Sequence, residues 1–69
     1  MRLMFVYPAS TRYALVRGAL RDFLRDKGIP AQYLPARRGW LVRSERLADV
    51  VAMAERDGFR VRHMKGTHQ

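Results

Sequence analysis

Residues 10–16 read STRYALV and residues 44–50 read SERLADV, so that Ser, Arg, Ala and Val recur at matching places. Each copy follows a short apolar run and closes on a charged stretch that ends in glycine. A strand–helix–strand unit written twice in 69 residues predicts the order βαββαβ. A chance similarity in a chain rich in Arg, Ala and Val is the alternative.

The apolar pattern of the first half predicts a strand followed by a helix. Residues 3–7 are apolar or aromatic at every position, as in a central strand, and Pro8 ends that strand because it lacks a backbone donor. Ser10 or Thr11 is suited to cap the next helix, and Gly28 supplies its left-handed stop. The apolar stripe expected on that helix comprises Val16, Ala19, Leu20, Phe23 and Leu24.

A hairpin, a second helix and a last strand are expected in the second half. Residues 31–36 alternate with period two, follow Pro30 and contain Pro35, which suits an edge strand. Residues 37–39 are predicted to form the hairpin tip, with the glycine at positive φ, and 40–43 the return strand. A helix over 44–58 and an alternating strand over 59–64 follow. The stripe of this helix comprises Leu47, Val50, Val51 and Ala54.

This order predicts an α+β fold, the ferredoxin-like split βαββαβ sandwich. In that fold a four-stranded antiparallel sheet carries two helices on one face. We expect a single ferredoxin-like domain over residues 1–64 and a flexible C-terminal tail over 65–69.

Charge and composition narrow the class of partner. Fourteen basic residues against six acidic ones give a net charge of +8, and such a field attracts polyanions in a salt-dependent way. The chain has no cysteine, and its apolar runs are far shorter than a membrane span needs. Its start lacks the apolar region of a signal peptide. These features predict a cytoplasmic protein without a membrane partner.

Strand parity predicts which side chains the sheet face opposite the helices presents. When the two halves of the repeat are aligned, the aromatic side chains of Phe5 and Tyr7 are expected to point away from the helices. Arg43, Arg60 and Arg62 are expected to point in the same direction. Aromatic rings ringed by cations suit the stacking of single-stranded nucleic acid. The alternatives are a homodimer that buries these aromatics, and a register slip of one residue that exchanges inner and outer side chains.

Two further basic features are candidates for contacts with a polyanion. Arg37 and Arg38 at the hairpin tip could straddle a phosphate backbone, although exposed turns are commonly polar. Arg17, Arg21 and Arg25 fall at i, i+4 spacing and would form one row on the first helix, a second basic surface. A solvated helix face neutralised by neighbouring aspartates is the plainer interpretation of that row.

The leading hypothesis is a small, non-catalytic, basic nucleic-acid-binding module. The alternative is a protein-binding module that docks on an acidic patch of a larger partner. Inhibitors and adaptors of phage or mobile-element type act in this way. Such a module could also be a homodimer. His63 and His68 pair with no nucleophile at a recognisable spacing. No residues suggest catalysis, a metal site, a cofactor or a small-molecule substrate.

Two short segments resemble known families that share the βαββαβ order. Residues 38–42, RGWLV, resemble the third strand of the RNA-recognition motif, which implies RNA binding on the sheet, but lack its second aromatic. Residues 1–10 resemble the first strand of the small CRISPR-associated adaptation subunit. Pro8 stands where that family has its metal-binding aspartate, so the resemblance carries no nuclease activity over to this chain.

Overall fold

The structure is a computed structural model that describes residues 2–65, which form five strands, two α-helices and one short 3-10 helix. The elements in chain order are β1 Arg2–Pro8, β2 Tyr13–Arg17, α1 Arg21–Asp26, β3 Gln32–Leu34, β4 Gly39–Arg43, the 3-10 helix Ser44–Arg46, α2 Leu47–Arg56 and β5 Phe59–His63. Most of the predicted tail, residues 66–69, lies outside the described residues.

The strands form one mixed sheet in the order β3-β4-β2-β1-β5. The pairs β3–β4, β4–β2 and β2–β1 are antiparallel, whereas β5 runs parallel to β1 at the far edge. The predicted α+β class is confirmed. The predicted four-stranded antiparallel ferredoxin-like sandwich is wrong, because the sheet has a fifth strand and a different order, and the βαββαβ order of the two resembling families is not found.

The difference arises at residues 9–17, which form a β-hairpin with β1 instead of the start of a helix. The Ser10 hydroxyl oxygen accepts hydrogen bonds from the backbone N–H groups of Arg12, at 3.3 Å, and Tyr13, at 3.1 Å. A helix cap would use the same chemistry, since a serine hydroxyl satisfies local backbone donors in turns as well as at helix ends. The hairpin then places Val16 opposite Val6 and fully buries it.

Gly18 separates this strand from the first helix. Its φ is +139°, and a Cβ atom at this position would lie 2.5 Å from the backbone carbonyl oxygen of Leu3. The chain therefore passes so close to β1 that only glycine fits. The helix begins only at Arg21 and has six residues, of which Phe23 and Leu24 are buried.

The internal repeat does not correspond to a structural duplication. Residues 10–16 form a turn and a strand, whereas residues 44–50 form the 3-10 helix and the first turn of α2. The second copy behaves as predicted: Val50 and Ala54 of the stripe are buried, and Gly58, at φ +92°, follows the helix end. The edge position of β3 and the hairpin between β3 and β4 are also confirmed.

One apolar core lies between the sheet and both helices. Met4 and Val42 of the sheet pack there with Phe23 of α1 and Val50 of α2. The rings of Phe23 and Phe59 meet with their centroids 5.2 Å apart. Alternate residues of each strand point to this core, and the others form the opposite face, which we call the open face. Within residues 2–65, no helix has the length and apolar character needed to cross a membrane.

Candidate nucleic-acid interface

The open face combines apolar side chains with arginines. Its register follows from the strand pairs, in which Leu3 lies beside Arg60, Phe5 beside Arg62, and Tyr13 beside Arg43. The principal side chains of the open face are Leu3, Phe5, Tyr7, Tyr13, Leu15, Arg17, Leu41, Arg43, Arg60 and Arg62.

Leu15 forms the apolar centre of the open face. It is only 4% exposed although no helix covers this side of the sheet. Tyr7 and Leu41 flank it in register on the two neighbouring strands. A Cβ atom on Gly39 would come within 3.0 Å of the Leu15 Cδ1 atom, so the leucine side chain lies against the bare glycine backbone. The neighbouring side chains therefore already form a packed platform on which a ligand could rest.

The structure places Phe5 and Tyr7 on the open face, as strand parity predicts. Phe5 is half-buried and lies in register between Arg17 of β2 and Arg62 of β5. In an antiparallel pair such as Phe5 and Arg17, directly opposed side chains have Cβ atoms about 4.5–5.5 Å apart. Phe5 is thus an aromatic ring with an arginine on each side.

Arg43, Arg60 and Arg62 are exposed on the same face. Arg60 and Arg62 follow the β5 edge, beside Leu3 and Phe5. Arg43 lies at the other end of the sheet, beside Tyr13. The three arginines therefore point outward as strand parity predicts, but they lie on two sides of the open face and do not form a ring around Phe5 and Tyr7.

Arg17 belongs to this surface, although its spacing predicts a position on a helix. Its Nε atom donates a hydrogen bond to the Arg37 carbonyl oxygen at 3.0 Å. Its guanidinium carbon lies 5.5 Å from the centroid of the Tyr7 ring, within the range of a cation–π contact. The alternation of Tyr13, Leu15 and Arg17 with Ala14 and Val16 is the signal that could have assigned it to the sheet.

The prediction that Arg17, Arg21 and Arg25 form one row on the first helix, a second basic surface, is wrong. Arg17 lies on β2, whereas Arg21 and Arg25 lie on α1, because the helix begins after Gly18. Arg25 is also engaged, since its Nη2 atom is 2.9 Å from a carboxylate oxygen of Asp22. The three residues therefore serve different surfaces.

Arg37 and Arg38 occupy the predicted hairpin tip and are exposed. The turn is closed by backbone hydrogen bonds from Arg37 N–H to the Leu34 oxygen and from Arg38 N–H to the Pro35 oxygen. Arg38, not Gly39, takes the positive φ, at +52°. Gly39 is needed instead because its missing side chain leaves room for Leu15 and Arg17 on the neighbouring strand.

The charges are segregated between the two layers. We define the helical layer as residues 21–27 and 44–57; these segments contain all six acidic residues and five of the fourteen basic ones. The other nine basic residues lie on the strands, in the loops between elements or, for Lys65, just after β5, and these segments contain no acidic residue. Across residues 2–65, the ion pairs Arg25–Asp22 and Lys27–Asp57 both lie within the helical layer. The net positive charge of the protein therefore belongs to the sheet and its loops.

Over the described part of the chain, no three His, Cys, Asp or Glu side chains are close enough together to bind a metal ion. No protein-family model matches the chain, and the searches of curated proteins and of solved structures found no significant match either. The chemistry of the surface is therefore the basis for assigning a function.

Proposed function

We propose that this protein is a non-catalytic module that binds nucleic acid through its open face. The observation that supports this most strongly is the charge segregation: nine basic residues and no acidic one lie outside the helical layer. Four of the nine, Arg17, Arg43, Arg60 and Arg62, lie together on the open face. A face of one sign binds a polyanion without repulsion from interspersed carboxylates and accelerates its association.

The residues of the open face suggest how binding works. Arg43, Arg60 and Arg62 are exposed and contact phosphate groups, which supply most of the affinity. Phe5 and Tyr7 offer ring surface for bases, and the stacking of one base on an aromatic side chain contributes about 1–3 kcal/mol. Sequence preference is weak, because phosphate contacts and stacking do not distinguish bases strongly.

The test is a titration of fluorescently labelled single- and double-stranded DNA and RNA, followed by anisotropy. With about four phosphate contacts, affinity should fall roughly a hundredfold between about 50 and 200 mM salt, because each contact releases a counterion. An affinity that does not change over this range would overturn the proposal.

A matched pair of variants locates the surface. Arg60→Glu with Arg62→Glu reverses two charges on the open face, and Arg46→Glu with Arg56→Glu makes the same change on the helical layer. All four side chains are exposed, so both proteins should fold. We expect the first variant to lose binding at about 200 mM salt and the second to retain most of it. Equal losses would mean that net charge alone, without a defined face, determines binding.

The second candidate is docking on an acidic protein, and the free edge of β5 favours it. In residues 2–65, β5 pairs only with β1, so its other edge can accept an added strand. Arg60 and Arg62 would favour an acidic strand at this edge. This candidate predicts a stoichiometric complex with one acidic host protein that survives nuclease treatment, together with no binding to any of the four nucleic acids.

A further inference from the structure

An exposed aromatic pair lies on the helix-bearing side of the sheet, away from the open face. Tyr33 of β3 is the register partner of Trp40 of β4, and their ring centroids are 5.0 Å apart at an interplanar angle of 59°. Trp40 packs against the core, but Tyr33 remains 43% exposed. Helix α1 has only six residues, and it leaves this edge of the sheet uncovered.

An open groove of about 450 Å³ separates this pair from the segment that leads into α1. Its volume falls within the range of about 300–1,000 Å³ that is usual for ligand pockets. Gly18 and Leu20 line it together with Arg21. The aromatic pair thus forms one wall of the groove, and residues 18–22, which include Arg21 and Asp22, form the other. A flat ring can stack on an aromatic wall of this kind.

The charges at the groove favour an anionic ligand. Arg21 is exposed and has no ion-pair partner within residues 2–65. Asp22 also lines the groove, but its carboxylate is held by Arg25 at 2.9 Å. A free cation next to an aromatic wall is the combination that binds a nucleotide, through its phosphate and its base.

The groove begins at the end of β2, next to a residue of the open face. Gly18 directly follows Arg17, which lies on the open face. The hydrogen bond from Arg17 to the Arg37 carbonyl oxygen holds the hairpin tip beside this point. Arg17, Arg37 and Arg38 therefore lie near the end of β2, where the groove begins.

We propose that the groove receives one unpaired base of a single-stranded nucleic acid. The phosphates of that strand pass over the hairpin tip to the open face, so the inference rests on the proposed function and narrows its ligand. A duplex cannot bind in this way, because its bases are stacked and paired and expose no flat face.

Trp40 is the only tryptophan of the chain, so its fluorescence reports directly on the groove. The experiment titrates the protein with unlabelled oligothymidine or oligouridine of about 12 nucleotides, a length within known site sizes. Labelled strands of the same length, single and duplex, are followed in parallel by anisotropy. We expect the single strand to quench Trp40 emission with the midpoint seen by anisotropy, and the duplex to leave the emission unchanged.

The two readouts separate the two proposals. A rise in anisotropy without quenching would overturn the proposal that a base binds in the groove, but it would agree with binding on the open face. Quenching of the same size by the duplex would overturn the requirement for an unpaired base. If neither signal changes at about 50 mM salt, both proposals fail.

Two substitutions in the groove test the same proposal by changing the affinity of the protein for a single strand. Tyr33→Ala should weaken single-strand binding about tenfold, the effect of losing one stacked base, and leave duplex binding unchanged. Arg21→Gln should weaken single-strand binding severalfold. Arg46→Gln makes the same change on an exposed side chain away from the groove and should not weaken single-strand binding. Equal affinities for Arg21→Gln and Arg46→Gln, together with an unaffected Tyr33→Ala, would overturn the inference.

Discussion

Arg17 shows how one side chain prepares a binding surface. Its Nε–H bonds to the Arg37 carbonyl oxygen, and its guanidinium lies over the ring of Tyr7. A guanidinium has five N–H donors, so four remain for phosphate oxygens. Because its position is already held by two contacts, Arg17 loses less side-chain entropy on binding than a free surface arginine would.

Ser10 and Ser44 occupy equivalent places in the repeat but differ in what their hydroxyl groups do. Ser10 accepts two backbone hydrogen bonds, whereas Ser44 is the first residue of a 3-10 helix whose N-cap is Arg43 and which has no side-chain cap. We expect Ser10→Ala to lower the free energy of unfolding by about 1 kcal/mol. Ser44→Ala should change it by less than about 0.5 kcal/mol. Urea unfolding of both variants measures the difference, and a larger loss for Ser44→Ala would contradict the hairpin.

At the scale of elements, β2 is the strand that organises the sheet. It pairs with β1 on one side and β4 on the other, so it joins the N-terminal hairpin to the second half of the chain. Its residues Ala14 and Val16 face the core, while Leu15 is buried on the open face. A strand that is apolar on both faces is suited to the middle of a sheet.

Substitutions at two alanines distinguish this strand from the helix that the apolar stripe suggests. Ala14 is 3% exposed in the core, whereas Ala19 is exposed. Ala14→Glu would bury a charge and should cost at least about 3 kcal/mol, enough to unfold much of a small domain. Ala19→Glu should be nearly neutral. If the predicted helical stripe were present, Ala19→Glu would be the more destabilising of the two substitutions. Thermal unfolding followed by circular dichroism measures the stability of both variants.

At the scale of the whole molecule, the two layers carry different charges. The helical layer is almost neutral, with five basic and six acidic residues, and the rest of the chain carries nine basic residues. Four of these nine, Arg17, Arg43, Arg60 and Arg62, lie on the open face, whereas the guanidinium of Arg2 lies over the Phe59 ring on the other side of the sheet. The four arginines make the open face positive, and a positive face attracts a polyanion before contact.

The same asymmetry opposes self-association through the open face. A dimer that joined two open faces would bring Arg17, Arg43, Arg60 and Arg62 of each copy together. We expect the free protein to be a monomer at about 50 mM salt, where repulsion reaches well beyond 10 Å. Analytical ultracentrifugation at about 50 mM and about 1 M salt tests this. A dimer at low salt would indicate that the apolar centre around Leu15 is an interface between copies.

Local patterns were sufficient for much of the fold. The apolar run of β1, the proline-bounded edge strand β3, the stripe of α2 and the alternation of β5 each specify an element without information from elsewhere in the chain. For the same reason, strand parity correctly orients Phe5, Tyr7 and the arginines of β4 and β5. The side chains alternate regardless of which strand lies next to them.

The sequence by itself determined the net charge, most of the elements and the outward direction of the strand side chains. Only the tertiary structure decided that residues 13–17 are a strand, because their apolar positions suit both a helix stripe and a two-faced strand. Pairing with β1 and β4 resolves that ambiguity, and both partners contribute contacts that no local pattern contains. The position of Arg17 and the groove beside Tyr33 and Trp40 follow from this pairing, so neither could be found before the strand order was known.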